Sequence, residues 1–188
     1  MVSELYRKNK NQRDAYSSPW PKKEAIMIRI WEVVWTLFVR WLPKPFYRWH
    51  IFLLKLFGAH IHPFIAPTAR IYAPWLLTVG DRSCIATRSE IYNLGPVIIK
   101  ERVTIAQYAY ICNGSHDLSD NKLPLVVGDV VIDNDVFIGA RAIILPGLHL
   151  CRYSVVGAGA VLTQNTTDFG IYAGNPARFI KERKIYGE

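Results

Sequence analysis

His116 and Asp117 are the pair in this sequence best suited to moving a proton. An imidazole titrates at about pH 6.5, so it takes up and returns a proton near neutrality. The pair lies in "YICNGSHDLSDNKLPLVVGD", residues 110–129, where an aliphatic rhythm stops and then resumes at Val126. His116 is the sixth residue of its repeat, a corner position whose side chain need not enter the core. It opens the excursion 117–125, and loops carried on a rigid scaffold are where functional residues gather. His50, His60, His62 and His149 read as surface histidines at turns.

The scaffold is legible in the spacing. Val126, Ile132, Ile138, Ile144, Leu150, Val156 and Leu162 follow one another at intervals of six. Ile111, Ile105, Ile99, Ile91, Ile85, Val79, Ile71 and Ile65 extend the series backwards, with longer steps from Ile71 to Val79 and from Ile91 to Ile99. The fifth place of each hexad is mostly small, as at Ala69, Ser83, Ser89, Ala109, Ala142, Ser154 and Ala160; Trp75 and Leu148 are the large ones. A period of six fits neither a helix nor a simple amphipathic strand. It fits short strands joined by tight corners, three to a triangular coil, with coils stacked about 4.8 Å apart. The expected fold is an all-β solenoid of about five coils spanning 64–168. A segment 1–63 precedes it and a tail 169–188 follows. In that tail Asn175 and Pro176 read as the N-cap and first residue of a short basic helix.

Composition narrows the function. The net charge is +8, but residues 1–63 hold eleven Lys and Arg against Glu4, Asp14, Glu24 and Glu32. Basic residues interleaved with bulky aliphatics form no stripe or motif for nucleic acid. Cys84, Cys112 and Cys151 have no metal-ligand or redox spacing and are odd in number, which suits reduced thiols. The polar opening "MVSELYRKNKNQRDAYSSPWPKK" lacks the apolar core of a signal peptide, so the expected location is cytoplasmic. A shared metal site would need converging histidines. His116 and His149 are 33 residues apart, not a whole number of coils, and no metal is expected.

The hexads resemble the left-handed β-helix of the hexapeptide-repeat acyltransferases. "IYNLGPVIIKERVTIAQYAYICNGSHD" and "IYAGNPARFIK" resemble in particular the colanic acid biosynthesis acetyltransferases. The resemblance covers nearly the whole chain. It implies left-handed winding, a homotrimer, and acetyl-CoA as donor. It also implies direct transfer of the acetyl group to a sugar hydroxyl of an exopolysaccharide precursor, with His116 as general base. Asn93 matches a position near the acceptor, and Asp117 would orient the imidazole or touch the sugar. For the CoA arm, Phe137 matches an aromatic contact and Ala140 the adjacent small corner residue, with Ala158 and Thr163 further along the same edge. Arg178 and Lys181 match positions near the CoA phosphates. Gln164 departs from the lysine common in relatives, so the resemblance does not carry that phosphate contact over to this chain. Tyr92, Tyr108, Tyr110 and 117–125 would shape acceptor choice. Two other functions fit the same frame: N-acylation of an amino sugar, and a scaffold at the membrane without catalysis.

The front segment predicts two helices. In "EAIMIRIWEVVWTLFVRWL" (24–42) the polar residues Glu24, Arg29, Glu32, Thr36 and Arg40 make a thin stripe, and Pro43 and Pro45 end the helix. "FYRWHIFLLKLFG" predicts the second, stopped at Gly58. No uninterrupted apolar run is long enough to cross a bilayer. The pair would cap the first coil, or seat residues 20–57 on a membrane at the inner face, near a lipid-linked oligosaccharide acceptor.

Overall fold

The computed structural model describes residues 7–8, 20–61 and 64–186. Most of the polar opening, and His62, lie outside the described residues.

Short parallel strands stack into three sheets that form the faces of a left-handed β-helix. The first face comprises His60–Ile61, Leu77–Val79, Val97–Ile99, Val130–Ile132 and His149–Leu150. The second comprises Phe64–Ile65, Cys84–Ile85, Thr104–Ile105, Phe137–Ile138, Val155–Val156 and Gly170–Gly174. The third comprises Arg70–Ile71, Glu90–Tyr92, Tyr110–Cys112, Ile143–Ile144 and Val161–Leu162. The chain thus winds through five full coils and begins a sixth. On the second and third faces one aliphatic per coil strand points inward, so Ile65, Ile85, Ile105 and Ile138, and Ile71, Ile91, Ile111 and Ile144, form continuous buried columns. On the first face Leu77–Val79, Val97–Ile99 and Val130–Ile132 each bury two. The small fifth residues fill the corners: Ala69, Ala109, Ala142 and Ala160 are buried, and the buried Ser83 hydroxyl donates to the Lys100 carbonyl at 2.6 Å. At Gly139 a Cβ would lie 2.5 Å from the backbone nitrogen of Ala158, so coils meet too closely there for any side chain.

Three details differ from the sequence reading. Val126 belongs to no coil. It sits in Leu125–Val127, which pairs antiparallel with Gly114–His116 to make a hairpin standing off the prism. A buried hairpin strand also wants aliphatics, and by coincidence Val126 keeps the interval to Ile132. The stack also gains a strand at each end, His60–Ile61 and Gly170–Gly174. Finally, the expected C-terminal helix is a strand. Ala177–Glu182 folds back antiparallel on Gly170–Gly174, with Asn175 and Pro176 at the turn. Pairing wins over the local helix signal because the last parallel strand would otherwise present an open edge.

The front segment caps the first coil. Helix α1 (Lys22–Phe38) and helix α2 (Tyr47–Leu56) bury Trp31, Val39, Leu53 and Leu54 in the same core as Ile61, Ile65 and Ile71. The Trp31 indole N–H donates to the Ile71 carbonyl at 2.7 Å, and its ring stacks on His50 with centroids 6.5 Å apart. His50, read from the sequence as a surface turn residue, is fully buried because it lies on the inward side of α2. Burial holds the His50 pKa down at about 4, so this imidazole is neutral.

Candidate active site

From Ile65 to Leu162, every step across the first-to-second and second-to-third corners is six residues long. All the lengthened steps fall at the third-to-first corner: Ile71 to Val79, Ile91 to Val97–Ile99, and Ile111 to Val130–Ile132. That edge is where the site is built.

Two asparagines shape it. Asn93 is fully buried, accepts from the Ala73 N–H at 2.9 Å and donates to the Ala73 carbonyl at 2.7 Å. Twenty residues on, Asn113 accepts from the N–H groups of Leu94 and Gly95 at 2.7 and 3.1 Å and donates to the Pro96 carbonyl at 3.1 Å. Each side chain satisfies the backbone of the widened turn one coil below, where regular strand pairing is lost. Gly95 matters for a different reason. A Cβ there would lie 2.5 Å from a Val127 methyl, so glycine lets the hairpin settle onto the corner. The hairpin gains a third strand from Arg7–Lys8, which pairs with Leu125–Val127.

His116 ends the first hairpin strand and is exposed. Its Nδ1 lies 2.7 Å from the Leu123 carbonyl oxygen. A carbonyl only accepts, so this contact requires Nδ1 to carry the proton and leaves the Nε2 lone pair free. Asp117 lies buried behind it and accepts from the N–H and hydroxyl of Ser119. Its own N–H donates to the Pro124 carbonyl at 2.9 Å, closing the loop that supplies Leu123.

A cavity of about 440 Å³ opens beside the histidine, bounded by Tyr110, Cys112, Gly114–Ser119, Val126 and, from the next coil, Leu145 and Pro146. Burial, followed by the neighbouring Cys112, raises the Tyr110 phenol well above its ordinary pKa. It is therefore a hydrogen-bond donor throughout the neutral range. The Cys112 thiol is turned to the Gly114 carbonyl at 3.1 Å.

The structure gathers some of the sequence-derived residues here and disperses others. His116 and Asp117 line the cavity. Asn93 does not, being occupied within the corner below. Thr163, expected on the edge of Ala140 and Ala158, stands instead on the edge of His116, two coils on in the column Cys112, Leu145, Thr163, because it follows the third-face strand Val161–Leu162. Ala140 and Ala158 lie on the second-to-third corner in adjacent coils, where the Gly159 N–H donates to the Ala140 carbonyl at 2.8 Å. Phe137 projects from the second face. Arg178 and Lys181 lie on the terminal strand at the end of that face. Tyr92 is on the third face, packed on Tyr72 with centroids 4.8 Å apart. Tyr108 holds a second-to-third corner between Arg88 and Arg141.

His149 is more than a turn residue. Its Nε2 meets Asp133 at 2.9 Å, while Lys100 meets the other Asp133 oxygen at 2.6 Å. Burial works to raise the Asp133 pKa, but the hydrogen bonds from Lys100 and His149 outweigh it and the net shift is downward. This group lies at the first-to-second side of the prism, away from His116. Sequence reasoning passed over Asn113, Leu145 and Pro146, and named Leu123 only as part of the 117–125 loop, not for its carbonyl. The recurrence of Asn at an interval of twenty was the available signal for Asn113; a backbone carbonyl leaves none.

Three stacked faces, a hairpin at one edge and a histidine at the end of its first strand define a class. A family model described as the hexapeptide repeat of succinyl-transferase matches residues 129–164. The chain is 33% identical over 161 residues to "Putative colanic acid biosynthesis acetyltransferase WcaF" of Escherichia coli (strain K12), covering 85% of this chain and 88% of that protein. It belongs to the hexapeptide-repeat acetyltransferase family. Among solved structures it resembles the hexapeptide-repeat acetyltransferase VCA0836 of Vibrio cholerae O1 biovar eltor complexed with acetyl coenzyme A. The TM-score is 0.80 at 19% identity, over 94% of this chain and 97% of that one. A galactoside acetyltransferase in complex with coenzyme A gives a TM-score of 0.74 at 19% identity, over 91% of this chain and 90% of that one. At these identities the likeness shows the fold.

Proposed function

We propose that this protein is an O-acetyltransferase that moves an acetyl group from acetyl-CoA to a sugar hydroxyl of an exopolysaccharide precursor. The observation that carries the reading is the His116–Leu123 contact. With Nδ1 committed to a carbonyl, Nε2 faces the cavity as a base. It takes the hydroxyl proton as the sugar oxygen attacks the thioester carbonyl. The tetrahedral intermediate collapses with loss of the thiolate, to which the imidazolium returns the proton. Backbone N–H groups at the widened corner are candidates to stabilise the oxyanion. Asp117 acts through the loop, by holding the Leu123 carbonyl in place. The Tyr110 hydroxyl is a donor for the acceptor sugar.

The donor site follows from dispersal. Thr163 shares the edge of His116, whereas Phe137, Ala140, Ala158, Arg178 and Lys181 lie around the second face and its far corner. One prism does not bring the two sets together. A neighbouring prism laid against the His116 edge would, which supports a homotrimer with acetyl-CoA held in the groove between protomers. An acceptor carried on a lipid at the inner face of the cytoplasmic membrane fits this reading.

Thermal melting with and without acetyl-CoA tests it. At a hundred times the dissociation constant, ligand adds about 2.7 kcal/mol of apparent stability. The wild type and His116→Ala are expected to shift alike, while only the wild type acetylates a sugar acceptor. No shift in an intact trimer would overturn the reading.

A further inference from the structure

Helix α1 is apolar on two sides. Ile28, Trp31 and Val39 point into the cap over the first coil and are buried. Ile26, Ile30, Val33 and Leu37, at steps of four, three and four, share another face and are all exposed. Helix α2 repeats the arrangement: Leu53 and Leu54 are buried, while Phe46, Trp49, Phe52 and Leu56 are exposed. The two outward faces are joined, because the Trp49 indole N–H donates to the Phe38 carbonyl at 3.2 Å and the Trp49 and Phe52 rings stack with centroids 5.6 Å apart. Between the helices Trp41 is 74% exposed, with the Arg40 guanidinium 4.9 Å from its ring centre. So large an apolar surface is uncommon on a soluble chain without a partner.

The charges say which partner. At about 100° per residue, Lys22 and Arg29 on one side and Lys23 on the other lie within about 70° of the centre of the exposed stripe. Glu24 and Glu32 fall about 130° or more away, and Glu32 is held in an ion pair with Arg70 at 3.0 Å. Arg48 and Lys55 are exposed on α2, a helix without an acidic residue. Twofold pairing of this face with a second copy would set lysine and arginine against their own kind. No helix among the described residues is long and apolar enough to cross a membrane.

We infer that the outward faces of α1 and α2 dock in the plane of an anionic lipid bilayer. The apolar stripes and Trp41 enter the headgroup boundary, and the flanking cations meet lipid phosphates. Docking of this kind does not depend on the acetyl-transfer chemistry. It would place the end of the prism on the membrane, with the strand of Tyr110 two coil spacings, about 10 Å, from that of Arg70.

Sedimentation of the full chain with vesicles tests this. One vesicle set is phosphatidylcholine alone, and the other is about one-third phosphatidylglycerol, as appropriate to an anionic surface. The expected result is binding to the anionic set, weakened by high salt. Leu37→Asp with Phe52→Asp should weaken it about tenfold or more, with melting temperature and oligomeric state unchanged. Lys22→Glu with Arg29→Glu should remove the preference for phosphatidylglycerol. If the aspartate variant folds poorly, quenching of wild-type tryptophan fluorescence by brominated lipid gives an independent reading. Absence of binding and of quenching at low salt would overturn the inference. So would an aspartate variant that loses its oligomeric state, because a second copy would then cover the face.

Discussion

The imidazole of His116 is held through Nδ1 by the Leu123 carbonyl, 2.7 Å away on the opposite limb of the same hairpin. No second side chain is needed to choose the tautomer. Because His116 is exposed, His116→Ala should leave the melting temperature nearly unchanged. In steady-state assays its kcat should fall by a factor of about 10² to 10⁴, the usual contribution of a positioned base.

Asn93 should behave in the opposite way. Replacing it with Ala leaves the buried Ala73 N–H without a partner and its carbonyl with the Leu76 N–H alone, a loss of about 2 kcal/mol. Chemical denaturation should register this, while the surviving folded enzyme keeps most of its kcat.

Gly95→Ala tests the seat of the hairpin. The added Cβ would meet a Val127 methyl at 2.5 Å, and the strand must lift to admit it. A stability loss of about 1–2 kcal/mol should accompany a disproportionate fall in kcat, since the lift moves His116 relative to Leu145 and Pro146.

His50 predicts how stability varies with pH. Its folded pKa is about 4 against an ordinary 6.5, so below pH 6.5 the unfolded chain binds a proton that the folded chain refuses. Stability from this residue is therefore complete above about pH 6.5, declines as pH falls toward 4, and is lost by about 3 kcal/mol in all. Melting curves across that window should show the decline, and His50→Gln should flatten it.

For the donor, Arg178→Ala and Lys181→Ala should each raise KM for acetyl-CoA about tenfold, the worth of one charge-assisted phosphate contact. Their kcat should hold. Variants that leave KM unchanged would remove these two residues from the proposed donor site.

What could be read in the sequence follows from which interactions are local. The columns through Ile65, Ile71 and Ile85 were legible because an interior position repeated at every corner admits only aliphatics. The place of His116 beside the extruded segment was legible because it interrupts that repetition. Val126 misled, because a hairpin strand and a coil strand both bury valine. Asn175 and Pro176 misled in a different way: their local preference for a helix start is weaker than the demand of Gly170–Gly174 for a partner. The role of Asn93 was hidden because a buried amide that satisfies a neighbouring coil looks, along the chain, like any polar turn residue.

The confinement of every lengthened step to one edge has a consequence for how such a chain can change. Between Ile65 and Leu162 the other two edges carry no added residue. At the third-to-first edge an added segment is simply extruded, as the fifteen-odd extra residues of the hairpin are. Under the proposed function, exchanging this one protruding segment should change acceptor preference while the strand register of the prism is kept. Grafting 114–127 alone keeps Asn113, which holds the Leu94–Pro96 turn, and Gly128, which bonds Gly147, and is the exchange by which the proposed acceptor role is tested.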